Sequence, residues 1–304
     1  MGDFDQGAAY VDGQYLPVGE ARIPLLDWGF LHSDATYDVA HVWRGRFFRI
    51  DDYIHRFQAS MQKLRMAIDY DAAQIRDIMF ELVRLSGLRD AYVEVVCTRG
   101  IPAPGSRDPR TCENRFLAFA IPFVWIADDA HRARGLDVLI SRQQRIPPQA
   151  VDPRIKNYHW LDMTMALFEA YDSGEDTAVL VDADGNLVEG PGFNVFVRRG
   201  NTVITPERGV LQGVTRTTVL ELLAKETELE VQPGLLPASL AMSSDEAFIT
   251  STAGGVMPVT RISGKAVGDG KPGELTERLN RAYWALHDDP QFNTEVDYRG
   301  AEDE

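Results

Sequence analysis

Lys156 stands in DPRIKNYHWLDMTMALFEA, between a stretch that reads as a strand exit and one that reads as a helix start. Before it, LDVLIS alternates apolar and polar residues, and RIPP breaks the run. After it, Trp160, Met163, Leu167 and Ala170 recur at helical spacing until Gly174. Ile155, Tyr158 and Trp160 flank the lysine, and such neighbours strip water from an ammonium. Loss of water favours the neutral amine, a nucleophile suited to Schiff-base chemistry. Most lysines are solvated surface groups, so this one gains weight only from what accompanies it.

Glu189, in LVEGPGFNVF, ends a predicted strand beside glycines that let a ligand approach the backbone. A carboxylate opposite a heteroaromatic nitrogen keeps that ring protonated and therefore an electron sink. The ordinary alternative is a surface turn glutamate. Gly213-Val214-Thr215 opens a helix directly after a glycine, so its amides, its dipole and the Thr215 hydroxyl can bind an anion. A plain N-cap by Thr215 is the competing reading. Ser251-Thr252-Ala253-Gly254-Gly255 follows the strand EAFIT, and its hydroxyls and glycine amides can complete a phosphate cup. Arg56, in IDDYIHRF, offers a bidentate partner to phosphate, although a solvated helix arginine is the commoner case.

The elements that must position these residues are legible in order. AAYVDGQYL is a hairpin turning at Asp12-Gly13, and YDVAHVW with FFRI forms another about Arg44-Gly45-Arg46. Helices are expected over Asp52–Met66 and about Asp71–Ser86, the second closed by Gly87. AYVEVVCTRG and FLAFAIPFVW are strands around the polar loop IPAPGSRDPRTCEN. IADDAHRARG reads as short on structure and as the interdomain linker. The second half gives hairpins in TAVLVDADGNLVEG and FNVFVRRGNTVITP, then a helix from LQGVTR, a strand LEVQPG and a short helix PASLAMSS. EAFITSTAGGVMPVTRISGKAV is strand, glycine loop and hairpin; ELTERLNRAYWALHDD is an amphipathic helix; Gln291–Glu304 is expected to fray. The fold class is therefore mixed α+β. A small α/β domain over 1–125 and a linker over 126–134 precede a larger barrel-like domain over 135–304 that carries the lysine.

Composition narrows the functions. Hydrophobic residues at 44% and charged ones at 25% fit a globular protein with sizeable cores. A net charge of −15 disfavours nucleic acid and anionic membranes as partners, and obliges any phosphate ligand to sit in a locally donor-rich pocket. No run is long and apolar enough for a membrane span, and MGDFDQ lacks the features of a signal peptide. Cys97 and Cys112 suggest neither a disulfide framework nor a metal site, so a cytoplasmic setting is expected. Patterns for zinc, Ser-His-Asp hydrolysis, Walker loops and dinucleotide folds do not occur.

The combination of HRF, Lys156, EGPGFN, QGVTR and TSTAGG resembles the fold-type IV pyridoxal-phosphate enzymes over roughly Ala8 to Trp284. The resemblance implies an aminotransferase (EC 2.6.1.-) in which Lys156 binds pyridoxal 5'-phosphate and shuttles the proton. It implies Glu189 on the pyridine nitrogen, Trp160 flanking the cofactor, and Arg56, Val214, Thr215, Ser251 and Thr252 about the phosphate. FLHSDATYDVAHVW and KNYHW are most like the R-selective amine transaminases, which implies a homodimer with active sites near the interface. His32, Tyr37, Val39, Tyr92, Glu94 and Ala253 would line the substrate side.

Branched-chain aminotransferases carry an arginine two residues after the aromatic in the strand before TRG, and a tyrosine five after the lysine. Here Glu94 and Leu161 hold those places. A glutamate receives a substrate carboxylate poorly, which points to donors whose amine carbon bears no carboxylate; that these are R-configured amines is what the resemblance implies. The keto acid acceptor, such as pyruvate, still needs a cation. Gly105 stands where the amine transaminases place an arginine, so Arg107, with Arg110 beside it, is the candidate. D-amino-acid transamination, branched-chain transamination, an aminodeoxychorismate-lyase-like elimination and a binding protein without chemistry are the rival readings.

Overall fold

The structure, a computed structural model, describes residues 6–299. The stretches 1–5 and 300–304, the latter part of the tail expected to fray, lie outside the described residues. Two compact units divide the chain, and neither is continuous in sequence. The first comprises residues up to Val124 together with Ile155–His159 and everything from His287; the second comprises Trp125–Arg154 and Trp160–Leu286.

In the first unit, β1 (Ala8–Val11) and β2 (Gln14–Pro17) form the expected hairpin. Asp12 and Gly13 take φ of 51° and 80° at its turn, the pair of positive values that matches strand twist. A helical turn, α1 (Trp28–His32), is capped by Asp27 and leads into β3 (Ala35–Trp43), which turns through Arg44-Gly45 into β4 (Arg46–Phe48). Next come α2 (Ile50–Lys63) and α3 (Ala72–Ser86), the latter opened by a reciprocal Asp71–Gln74 capping box. β5 (Ala91–Ile101) and β6 (Glu113–Pro122) follow.

The tail departs from expectation. Asn293–Glu295 pairs antiparallel with β4 in the register Asn293↔Phe48, because the outer edge of β4 otherwise leaves its backbone groups unmatched. The sheet order is Asn293–Glu295, β4, β3, β5, β6, β1, β2, antiparallel throughout. Tyr53, Phe57 and Met61 of α2, with Ile75, Met79 and Leu82 of α3, are buried against one face of it. Side chains alternate across a strand, so Asp38 lies on the helix-covered face while Tyr37, Val39, Glu94, Val96 and Leu117 share the other.

The second unit begins with a correction. IADDAHRARG holds a short helix, α4 (Asp129–Arg134), capped where Asp128 accepts from His131 N–H at 2.8 Å. Its six residues, four of them polar and two alanine, carry no apolar periodicity, so only the cap and the basic last turn mark it. Then follow β7 (Leu136–Gln144), α5 (Leu161–Ser173), β8 (Thr177–Val181), β9 (Asn186–Leu187), β10 (Glu189–Gly190), β11 (Phe193–Arg199) and β12 (Thr202–Pro206). After them come α6 (Val214–Leu223), β13 (Glu230–Gly234), β14 (Leu236–Pro237), α7 (Ala238–Ala241), β15 (Glu246–Ser251), β16 (Gly255–Ile262), β17 (Lys265–Ala266) and α8 (Glu274–Ala285).

The main path of the sheet is β13-β12-β11-β15-β16-β7-β8-β9-β14, with β10 on β11 and β17 on β16. Its two ends, β13 and β14, are separated in the chain by Leu235 alone, so the path returns on itself as a nearly closed barrel. Val138, Val195, Ile249, Met257 and Val259 are among the residues that fill it. The mixed α+β class and the barrel-like second sheet agree with the sequence.

Candidate active site

Each unit carries one cluster of the residues singled out above. In the first unit, Ile155–His159 lies along the part of β3 that β4 does not cover. Thr36 forms a bridge with Asn157, the Lys156 carbonyl accepts from Tyr37 N–H at 3.1 Å, and the Thr36 hydroxyl donates to it at 2.7 Å. The Lys156 backbone is thereby fixed to the sheet, and its side chain turns over the Tyr37 ring, with Nζ 4.1 Å from the centroid. Tyr37 in turn stacks on Tyr158 at 4.3 Å with the rings 8° from parallel, and the Tyr158 hydroxyl donates to Glu94 at 2.5 Å. Burial pushes the Glu94 carboxyl up to about 6; the Tyr158 hydrogen bond and the Lys156 charge pull against that, and Asp38 adds to it. The same burial raises the phenols of Tyr158 and Tyr92.

Across the sheet, Arg56 donates Nε and Nη2 to the two oxygens of Asp38 at 2.8 and 2.6 Å. Burial works against the guanidinium charge, and the Asp38 carboxylate more than compensates, so Arg56 holds its proton more tightly than usual. Val39 is buried beside Tyr37, and Tyr92 is half-buried against the same cluster. His32 is exposed on α1 and meets Trp28 edge-on at 4.6 Å. Arg107 is exposed in the loop after TRG; Arg110, also exposed, is occupied by Asp108.

In the second unit, Glu189 is 4% exposed and held from two sides. Arg145 Nε donates to Oε1 at 3.1 Å, and Leu211 N–H donates to Oε2 at 2.8 Å. Arg145 also donates to Asp162 at 2.8 Å, an oxygen that the Ile146 N–H reaches as well. Desolvation opposes the Arg145 charge, and the two carboxylates outweigh it. Gly213 is the N-cap of α6, without a side-chain cap bond, which leaves the first amides of that helix without a side-chain partner there. A Cβ on Gly213 would fall 2.4 Å from Asn194 Oδ1, so a larger residue would have to displace that amide from its hydrogen bond to the Leu211 carbonyl. Val214 and Thr215 are buried in the first turn, Thr252 is half-buried, and Trp160 packs beside Gly192. The Ser251 hydroxyl donates to the Gly192 carbonyl and accepts from Ala253 N–H, which ties it to the shape of the loop.

Sequence reasoning passed over Tyr158 as a functional group, and also Asp38, Arg145 and Asp162. Asp38 left a trace, as a charge inside an otherwise apolar strand; Arg145 left none. Among the described residues no cluster of His, Cys, Asp or Glu could hold a metal, and no helix is long and apolar enough to cross a membrane.

Comparison with known proteins identifies the chemistry. The model of the family described as "Amino-transferase class IV" matches residues 35–262. The chain belongs to that family. A putative branched-chain-amino-acid aminotransferase of Methanocaldococcus jannaschii is 31% identical over 278 residues, covering 90% of this chain and 94% of its own. A D-alanine aminotransferase of Bacillus licheniformis is 26% identical, with 89% and 94% covered. A T.th. branched-chain amino acid aminotransferase, crystallised with pyridoxamine 5'-phosphate, superposes with a TM-score of 0.88 at 25% identity, over 96% of this chain and 99% of that one. This protein is a pyridoxal-phosphate-dependent aminotransferase of fold type IV. Each unit by itself holds groups of the kinds such a cofactor takes: the first an amine over an aromatic ring, the second a carboxylate anchored by arginine and a helix that opens on a glycine.

Proposed function

We propose that this aminotransferase moves an amino group between an R-configured amine, or a D-amino acid, and a keto acid such as pyruvate. Glu94 carries the preference for the amine over the amino acid: a carboxylate 8% exposed on the apolar sheet face beside Lys156 repels a second carboxylate on the donor. The bound cofactor supplies the electron sink for the deprotonated substrate carbon. Lys156 is the proposed covalent anchor and carries the proton at Nζ, which rests against the Tyr37 ring between transfers. Glu189 is proposed to hold the proton on the ring nitrogen, and Arg145 with the Leu211 amide pairs with its carboxylate and orients it.

Val214 and Thr215 through their amides, with Thr252 and Arg56, are assigned to the phosphate, Ser251 to the loop that presents Thr252, and Trp160 to the cofactor's flank. Tyr37, Val39, Tyr92, Glu94, His32 and Ala253 are proposed to face the substrate. Arg107 is proposed for the keto-acid carboxylate, because its neighbour Arg110 is already occupied by Asp108. The unpaired thiols of Cys97 and Cys112 suit a reducing compartment such as the cytoplasm.

A homodimer is proposed on the strength of two exposed apolar patches, Leu25, Leu26 and Phe30 in the first unit and Leu161, Met165 and Phe168 along α5 in the second. The branched-chain and D-alanine relatives favour a second reading, in which the donor is an amino acid. A donor panel with pyruvate separates them. Turnover of R-1-phenylethylamine above D-alanine and L-leucine, with the S-enantiomer inert, is the expected result; turnover confined to L-leucine overturns the proposal.

A further inference from the structure

Glu94 is misplaced by the standards of its surroundings. Its sheet face is otherwise an apolar cluster of Tyr37, Val39, Val96 and Leu117, with Tyr92 and Tyr158 packed against it. A leucine or valine would fill such a position without desolvating a charge. What the carboxylate does there follows from its hydrogen bond to the Tyr158 hydroxyl. A tyrosine stacked face to face can slide or tilt unless its far end is tied, and a carboxylate is the strongest tie available to a phenol. Tyr158 is two residues from Lys156, and its stacking partner Tyr37 is the ring over which Nζ sits.

We propose that Glu94, acting through Tyr158 and Tyr37, is a positioning residue for Lys156: it locks the aromatic surface on which the lysine ammonium rests. This rests on the reading of Lys156 as the cofactor lysine. Glu94 does not touch the reacting atoms in this scheme, and the order of contact is carboxylate, phenol, stacked ring, ammonium. The charged and titratable groups around Glu94 are Tyr158 and Lys156 from the 155–159 segment, Tyr37 and Asp38 from β3, and Tyr92 from β5 itself. Asp38 is balanced by Arg56 of α2, and β6 sets the uncharged Phe119 opposite Glu94.

The arrangement predicts that the proton taken up by Glu94 near pH 6 is felt at Lys156. The test labels the cofactor-free protein with trinitrobenzenesulfonate from pH 5 to 9. Modification of Lys156 is followed by peptide mass spectrometry, with Lys63 and Lys225 in the same digest as internal controls. The parent is expected to show a step in the Lys156 rate near pH 6 that Glu94→Gln lacks. Tyr158→Phe keeps the stack but cuts the tie, and is expected to raise the Lys156 rate about fivefold while the controls stay put. Adding Glu94→Gln to Tyr158→Phe is expected to change nothing further at pH 8, because both cut one chain.

In the loaded enzyme, Glu94→Ala is expected to lower kcat for R-1-phenylethylamine, a donor without a carboxylate, about tenfold with KM within threefold, and Glu94→Gln to recover most of that loss by restoring an acceptor for the phenol. A step near pH 6 that survives in Glu94→Gln, or a Tyr158→Phe protein labelled like the parent, overturns the proposal. A protein whose labelling behaves as expected but that stays colourless with pyridoxal phosphate would sink the cofactor reading instead.

Discussion

Glu94 and Glu189 are two glutamates buried to nearly the same degree, 8% and 4% exposed, and they are held in opposite ways. Glu189 meets an arginine and a backbone amide, with Asp162 balancing the far side of that arginine. Glu94 meets a neutral phenol, and burial pushes its carboxyl up to about 6. Burial by itself therefore does not decide what a carboxylate does; the partner does. A charge-paired glutamate is a fixed anion, fit to hold a proton on a ring nitrogen. A phenol-paired glutamate can change charge within the range where enzymes work, and it sits in the unit that carries the lysine.

If partners govern the two glutamates, the largest effect still comes from the proposed covalent anchor, without which neither has a role. Lys156→Ala is expected to lower turnover by at least on the order of a thousandfold and to abolish the visible absorption of the loaded enzyme. Turnover close to the parent would leave the lysine, and both glutamates, without their role. Arg145→Met strands Glu189 and Asp162 without their cation, and a loss of about 3–5 kcal/mol in urea unfolding is expected. The same loss on Glu94→Gln would mean that burial rather than pairing dominates.

The Glu94 carboxyl titrates at about 6 when folded, above its unfolded value, so the folded state binds the proton more tightly. Its contribution to stability is complete below about pH 4.5 and is lost as pH rises through 6. The difference in unfolding free energy between the parent and Glu94→Gln should accordingly shift by roughly 2 kcal/mol, against the parent, between pH 4.5 and 7. A flat difference would place Glu94 among ordinary carboxylates. The smallest effect is expected from Arg110→Ala, whose pair with Asp108 lies on an exposed loop: the melting temperature should not move measurably.

Spacing along the chain determined most of the elements. Helical recurrence marked α2, α3, α5 and α8, a glycine start marked α6, glycines marked the hairpin turns, and the short motifs around Lys156, Glu189, Val214 and Thr252 pointed to one chemistry. These are local signals, in which a residue and its reason lie within a few positions of each other. Tertiary structure decided the rest, because it depends on edges and faces that no window of sequence contains. Lys156 is fixed by Thr36, 120 residues away, since β3 leaves part of its edge open there. Tyr158 finds Glu94 across 64 residues, and Arg145 finds Glu189 across 44. The acidic tail looked free to fray, and Asn293–Glu295 instead took the vacant edge of β4, because an unmatched strand edge satisfies its hydrogen bonds wherever the chain brings a partner.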